Sequence, residues 1–475
     1  MPAKLHPLAS GSLWVSGAVL GSQAAQLVYS VVTARLLSPA AFGAYATALA
    51  AMGLVAIIAA NGLDLAVART SSEPEQLRSV VSAALLIGLF AAAVVVALAD
   101  LWARIWGDPS AGPLLRLLAI AVAVIPFNAV AAGAARRAGR FRQLSIAQAG
   151  AALLGVVLGL ACVYATRAVW SLPISVVVAT VSAALLGPHA AGGGLGPGRL
   201  RRDTTTYLGF GSRALTSNLI EYAGWAGVQW ATSRAAGPVP LGQLNRALAF
   251  ASMPILALNT AVSNVLAPSY GSDSQESVRR SQLGRSAILS TWLGLGSAAV
   301  VAGAAYPLIP VLLGPGWDVA AGLSILMALA SGGSVAAAPM SVYLQSQDRF
   351  REYRRIQYAT LGVYVGCAVV VLTTHAVVWA ALAYTSAAWL RYVLLLVLLT
   401  RCGDLRVRLG GEVGLALLGS LSTGVVVASL LLTMTGHHVG LVVPLVAVAG
   451  LLIVVPVTRS RSAMPTLVRG VLRLN

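Results

Sequence analysis

Three polar residues recur at helical spacing inside one long apolar stretch: Arg213, Ser217 and Glu221, at i, i+4 and i+8. That spacing sets all three on one face of a helix, with Asn218 beside them. Arg246 enters the next apolar stretch near its end, and Arg35 and Arg234 close two others. Gln23, Gln26 and Tyr29 form a second polar stripe. An ionised side chain at the centre of a bilayer costs ~2.5–3.5 kcal/mol or more unless paired or hydrated, so such residues point to function. The chemistry open to these types is binding. A guanidinium is a planar fork that holds phosphate or carboxylate oxygens two at a time. Glu221, the one carboxylate deep in an apolar stretch, can hold an Arg in place or take up a proton or Na⁺. The competing account is structural: Arg213 and Arg246 lie close enough to helix ends to snorkel, and Arg391 reads as a snorkelling or lobe-interface residue.

Other chemistries lack their residues. Of 32 basic residues only Lys4 is a Lys, so a phosphate-binding loop ending in Gly-Lys-Ser/Thr is excluded. Cys162, Cys367 and Cys402 are scattered through apolar stretches and give neither a disulfide framework nor metal spacing. His437 and His438 sit in an expected short loop without further ligands. The acids Asp100, Asp108 and Asp318 are isolated, so no general acid/base pair is expected. The expectation is no catalytic residue, no metal and no cofactor.

The elements that must carry these residues are membrane helices. Hydrophobic residues make up 58% of the 475, charged residues 10%, and the mean hydropathy is +0.83. A soluble domain carries about 25% charged residues. A hydrocarbon core ~30 Å thick takes about 20 helical residues to cross. Stretches of that length recur at 13–34, 41–62, 79–101, 113–134, 144–165, 168–188, 207–231, 241–266, 284–306, 319–341, 356–374, 377–399, 412–434 and 438–458. The fold expected is all-α and polytopic, with about 14 transmembrane helices. The first of them is read as an uncleaved span and not a signal peptide. The net charge of +18 belongs to topology and not to nucleic acid. With the N-terminus cytoplasmic, 24 of the 32 basic residues fall on the inner side, including Arg136, Arg137, Arg140 and Arg142, and Arg349, Arg351, Arg354 and Arg355. Five fall outside: Arg35, Arg104, Arg116, Arg167 and Arg234. This bias puts both termini inside.

A weak duplication runs through the chain. Arg35, Pro39 and Gly43 follow the first span as Arg234, Pro238 and Gly242 follow the seventh, both Arg-x₃-Pro-x₃-Gly. Arg140-Phe141-Arg142 recurs as Arg349-Phe350-Arg351, and at the same offset Gln148 matches Gln357 and Trp170 matches Trp379. Six spans per repeat keep the halves in one orientation, around a pseudo-two-fold axis along the membrane normal. The expected organisation is a six-helix lobe over 1–198, a second over 199–402, and an extra helix pair with a basic tail over 403–475. Sites in such transporters lie between the lobes near the midplane.

The stretch Thr33-Ala34-Arg35-Leu36-Leu37-Ser38-Pro39-Ala40-Ala41-Phe42-Gly43-Ala44-Tyr45-Ala46 resembles the first outer hairpin of bacterial Wzx-like polysaccharide flippases. These belong to the superfamily of the multidrug MATE exporters and the lipid II flippase. Gly62–Arg69, Gly209-Phe210-Gly211 and Leu312-Leu313-Gly314-Pro315-Gly316-Trp317 extend the resemblance over roughly residues 8–400. It implies a non-enzymatic flippase in the bacterial cytoplasmic membrane. The implied substrate is a polyprenyl-pyrophosphate-linked oligosaccharide, moved from the inner to the outer leaflet for cell-surface polysaccharide assembly. The implied partners are that lipid-linked sugar, membrane lipids, and glycosyltransferases or a polymerase of the same pathway. On this view Arg213, Ser217, Asn218, Glu221, Arg246, Arg35, Arg234, Gln23 and Gln26 line a cationic cavity for the pyrophosphate, and H⁺ or Na⁺ is the coupling ion. The alternatives are a MATE-type small-molecule exporter and a membrane glycosyltransferase or polymerase. A cationic cavity repels cationic drugs, and the expected outer loops are too short for an enzyme's donor site.

Overall fold

The computed structural model describes residues 7–60, 62–69, 73–200, 212–252 and 276–405, with the single positions 255, 416 and 427. Thirteen helices, labelled here in chain order, account for most of them. They are α1 (Pro7–Leu36), α2 (Pro39–Ala60), α3 (Leu63–Arg69), α4 (Pro74–Trp106), α5 (Ala111–Arg137), α6 (Phe141–Thr166) and α7 (Leu172–Ala191). After the 192–211 segment come α8 (Ser212–Ala236), α9 (238–252), α10 (Glu276–Leu313), α11 (Asp318–Ser346), α12 (Phe350–Thr374) and α13 (Val378–Arg401). Each of the first twelve expected spans falls on a helix, the seventh from residue 212 and the eighth as far as residue 252. Apart from the single positions 416 and 427, the last two, 412–434 and 438–458, lie outside the described residues, as do His437, His438, Gly209-Phe210-Gly211 and the basic tail.

Among the described residues nine helices are long and apolar enough to cross a membrane. Their lipid-type surfaces are plain in α4, where Leu86, Leu89 and Phe90 are exposed. α4 begins at Pro74, where Glu73 and Gln76 form a capping box, satisfying amides that the first turn leaves open. The short α3 was not expected. It carries Asp64, whose carboxylate accepts from the Arg136 guanidinium at 2.7 Å on the Arg-rich side.

The repeat is visible in the backbone. The turn before α6 places Gly139 at φ 67, and the turn before α12 places Asp348 at φ 56. α6 ends on Arg167 at φ 48, and α12 ends on His375 at φ 56. A left-handed residue is the common way to end a helix. Its recurrence at corresponding places shows one architecture used twice.

Two compact units result. One comprises Met1–Asn245 with Val371–His375; the other comprises Arg246–Val370 with Ala376–Asn475. In the first, α3, α4 and α5 close on a core that includes Leu63, Val67, Val80, Val81, Val130 and Ala134. In the second, α10, α11, α12 and α13 close on Leu283, Ala287, Met340, Ile356, Leu395 and Leu399. Close approach of α10 and α11 needs glycine: a Cβ on Gly294 would overlap the carbonyl of Gly332, and one on Gly332 that of Gly294.

Candidate functional site

α8 is 25 residues long, enough to cross a membrane, but it is not among the nine apolar helices. Arg213, Ser217, Asn218, Glu221, Gln229 and Arg234 make it more polar than those nine. Its backbone therefore brings five of the expected site residues onto one helix. Ser217 is buried, whereas Asn218 and Glu221 are exposed midway along the helix. Arg213 stands in the first turn; its side chain lies outside the described residues. An exposed mid-helix carboxylate can be reached by a solute, a proton or water; one sealed in a core cannot.

The C-terminal half of α8 is held by the end of α4. The last four carbonyls of a helix have no partner within it. In α4 each finds one: Ala103 accepts from the Asp108 amide at 3.0 Å and Arg104 from the Gly107 amide at 3.1 Å. Ile105 accepts from the Trp230 indole at 3.0 Å and Trp106 from the Ser233 hydroxyl at 2.9 Å. Arg234 lies against Gly107, the left-handed cap of α4, with a guanidinium nitrogen 2.9 Å from where a Cβ would stand. A cation at a helix C-terminus is favoured by the helix dipole. That placement accounts for Arg234 structurally, without a ligand.

The duplicated Arg-x₃-Pro-x₃-Gly segments meet each other. A Cβ on Gly43 would overlap the Pro238 carbonyl, and a Cβ on Gly242 would overlap the Pro39 carbonyl. The contact is reciprocal, as an approximate two-fold requires. The spacing found in the sequence thus has a physical cause: Pro opens each helix, and Gly one turn later lets the two backbones touch.

The remaining expected residues lie on other helices. Arg35 is exposed at the end of α1, and Gln23 and Gln26 are half-buried in that helix. Tyr29, on the same stripe, is buried and donates to the Leu172 carbonyl at 3.0 Å, which ties α1 to α7. Arg246 is buried, with 8% of its surface exposed, in the second unit.

Two groups carried no signal as sites. The first is Tyr222, whose hydroxyl donates to the Ala50 carbonyl within α2. The second is an ionic cluster on the Arg-rich side of the second unit. Arg349 donates to Asp404 at 2.6 Å and, through two nitrogens, to Glu352 at 3.1 and 2.5 Å. Arg280 lies 3.5 Å from Asp404 and 2.5 Å from Glu276. The paired bonds from Glu352, then the one from Asp404, hold Arg349 above its ordinary pKa. With Arg349's donors engaged, the cluster is a clamp and not a vacant anion site. Among the described residues no group of His, Cys, Asp and Glu could hold a metal ion.

Comparison with known proteins agrees with this architecture. The family described as polysaccharide biosynthesis protein matches residues 32–322, more than half of the chain. The succinoglycan biosynthesis transport protein ExoT of Rhizobium meliloti (strain 1021) is 28% identical over 304 residues. That stretch takes in 63% of this chain and 61% of ExoT, so the likeness spans under two thirds of that relative. The lipid II flippase MurJ, in an inward closed conformation, superposes with a TM-score of 0.73 over 94% of this chain and 99% of its own, at 13% identity. An inward-facing multidrug resistance MATE family transporter of the MOP superfamily gives a TM-score of 0.62 over 83% and 98%, at 16% identity. At such identities the structural likeness speaks for the fold alone. The helices, the duplicated turns and the family match lead to one conclusion: the chain is a multi-pass membrane protein with the MOP-superfamily transporter fold, and it belongs to the polysaccharide biosynthesis protein family.

Proposed function

We propose that the protein is a flippase that carries a polyprenyl-pyrophosphate-linked oligosaccharide from the inner to the outer leaflet of the bacterial cytoplasmic membrane by alternating access. The observation that carries the reading is α8: a helix of spanning length, more polar than the nine apolar helices, with Asn218 and Glu221 exposed midway. The family and the name of the ExoT relative support a transport step in polysaccharide assembly. In this reading both termini are cytoplasmic, two six-helix lobes enclose the cavity, and the last helix pair packs outside it. Arg213 contacts the pyrophosphate, Glu221 tunes that contact or takes up the coupling H⁺ or Na⁺, and Ser217, Asn218, Arg246, Arg35, Gln23 and Gln26 contribute polar lining. No residue is catalytic. Glycosyltransferases or a polymerase act before or after this step.

The test is flipping of a polyprenyl-pyrophosphate-linked oligosaccharide in proteoliposomes, read by accessibility of the sugar to an external lectin. The sugar must cross chemically unchanged; release or extension of the glycan refutes the proposal. A bond to a charged group is worth roughly 1.5–3 kcal/mol. Arg213→Ala should therefore slow flipping by about tenfold or more. Arg213→Lys should restore part of the rate, because a point charge replaces a fork. Glu221→Gln should flatten the pH dependence of the rate. Full activity in Arg213→Ala removes the site.

A further inference from the structure

α2 is one unbroken helix with two differently held halves. From Ala41 to Ala51 nearly every residue is buried; from Met52 to Ile57 every residue is half-buried, and Ile58 is exposed. The buried half is tied down repeatedly. Gly43 and Pro39 meet Pro238 and Gly242, and the Trp102 indole donates to the Thr47 carbonyl at 3.0 Å. Ala46 and Ala50 share an apolar cluster with Trp106 and Leu241.

Tyr222 of α8 stands where one half becomes the other. Its hydroxyl donates to the Ala50 carbonyl. In an α-helix that carbonyl is also the acceptor of the Leu54 amide. The hydroxyl therefore shares an acceptor with the i→i−4 ladder, and a side chain reaching into that ladder is one of the identifiable causes of helix bending. Gly53 makes the room. A Cβ there would lie 3.0 Å from the Tyr222 hydroxyl oxygen and 3.1 Å from the ring edge. Trp225, one turn on, packs its ring 5.5 Å from that of Tyr222 and steadies it.

We propose that residues 50–54 are a hinge in α2 and that Tyr222 is its positioning residue. The N-terminal half of α2 stays with the start of α9 and the end of α4, while the C-terminal half swings about the hydroxyl. Glu221 precedes Tyr222 on α8, so the hinge and the candidate carboxylate move as neighbours. This last consequence rests on the transport reading; the hinge itself does not.

The test uses the full chain in nanodiscs without substrate. Cys162, Cys367 and Cys402 are replaced by Ser, and spin labels are placed at Ile58 and Leu89, both exposed. The parent should give two distance populations. Tyr222→Phe keeps the ring but leaves the Ala50 carbonyl to the helix's own ladder, and should lose one population. Gly53→Ala reaches the same end from the other helix, since its methyl expels the hydroxyl, and should lose the same population. Identical distance distributions in the parent and in both variants overturn the hinge. Flipping of the lipid-linked oligosaccharide is then measured in the same variants. A shifted distribution in a parent that flips nothing sinks the transport reading and leaves the hinge standing. Normal flipping with an unchanged distribution sinks the hinge and leaves the transport reading standing.

Discussion

The two halves of the chain close their Arg-rich corners around the same cation by different means. In the first, Arg140 stands at the start of α6 with its guanidinium against Gly192, the left-handed cap of α7. The chain beyond that cap is anchored by Leu195, buried among Leu63, Val80 and Val130. It is then held by Ser82, whose hydroxyl serves both the amide and the carbonyl of Gly198, at 2.8 and 2.7 Å. In the second, Arg349 precedes α12 and meets Asp404 beyond the end of α13, with Arg280 and Glu352 in the same cluster. Leu405 then enters the core beside Leu283 and Leu399. Cation and apolar anchor are common to both. A neutral hydroxyl completes one corner and a nearly buried carboxylate the other. Duplication has conserved the geometry that ends a helix and left the polar closure free to change.

The sharpest way to break the comparison is to remove the carboxylate. Taking one partner from a buried ion pair costs about 3–5 kcal/mol, because the other charge is left uncompensated. Asp404 is 9% exposed at its side chain, but Arg349 and Arg280 keep Glu352 and Glu276. Asp404→Ala should therefore cost about 3 kcal/mol, at the lower end of that range. Unfolding in mixed detergent micelles would measure it. Leu195→Asp would place a carboxylate at the corresponding corner, but inside an apolar core, and should not stabilise the first half. A stabilised Leu195→Asp variant would mean that the two corners are interchangeable.

Where the halves are alike, their variants should be alike. Gly43→Ala and Gly242→Ala each place a methyl on the facing backbone carbonyl. Overpacking of this kind costs about 1–3 kcal/mol. The reciprocal contact makes the two costs equal within error, with apparent Tm values lowered together. A large inequality would mean that the crossing is not symmetric in the folded protein. Gly107 offers a control: its left-handed φ of 75 also resists Ala, but it belongs to the end of one helix and has no reciprocal mate in the crossing.

These contrasts also mark what a sequence discloses. Helices were legible because apolar runs of bilayer length have no other stable use, and Arg placement gave their ends. The repeat was legible at Arg35, Pro39 and Gly43 because Pro and Gly are needed by backbone geometry, which any half must meet again. What Gly43 touches was not legible, since the contact joins residues almost two hundred positions apart. Tyr222 left no trace because an aromatic ring in a membrane helix has many uses, and only the partner helix shows that its hydroxyl meets the Ala50 carbonyl. Asp404 read as a loop acid because its burial depends on three other segments. α3 was missed because Leu63–Arg69 is too short to show a period. Of the candidate site, Arg213, Ser217, Asn218 and Glu221 share one helix, as their spacing requires. Arg234 lies against a helix cap and Tyr29 ties two helices together, contacts that residue type alone does not reveal.

The smallest expected effect tests whether the neutral corner is a clamp at all. Ser82 bonds both backbone groups of Gly198, a residue sixteen positions past one hundred along the chain from it. Ser82→Ala removes both bonds at once. A lost hydrogen bond at a fully buried site costs roughly 1–3 kcal/mol. Here the pair is only part-buried, so water can replace the hydroxyl, and the expected loss is about 1 kcal/mol. Leu195 stays in its core, so the segment should loosen without the unit unfolding. Hydrogen exchange separates these outcomes, because local opening raises exchange in one segment and leaves the global protection of the core unchanged. Amides over 196–200 should exchange faster in Ser82→Ala, while those of α5 keep their rates. If α5 loosens to the same degree, the hydroxyl is part of the global fold. The neutral corner is then as strong a clamp as the ionic one, and the difference between the two halves is one of chemistry alone.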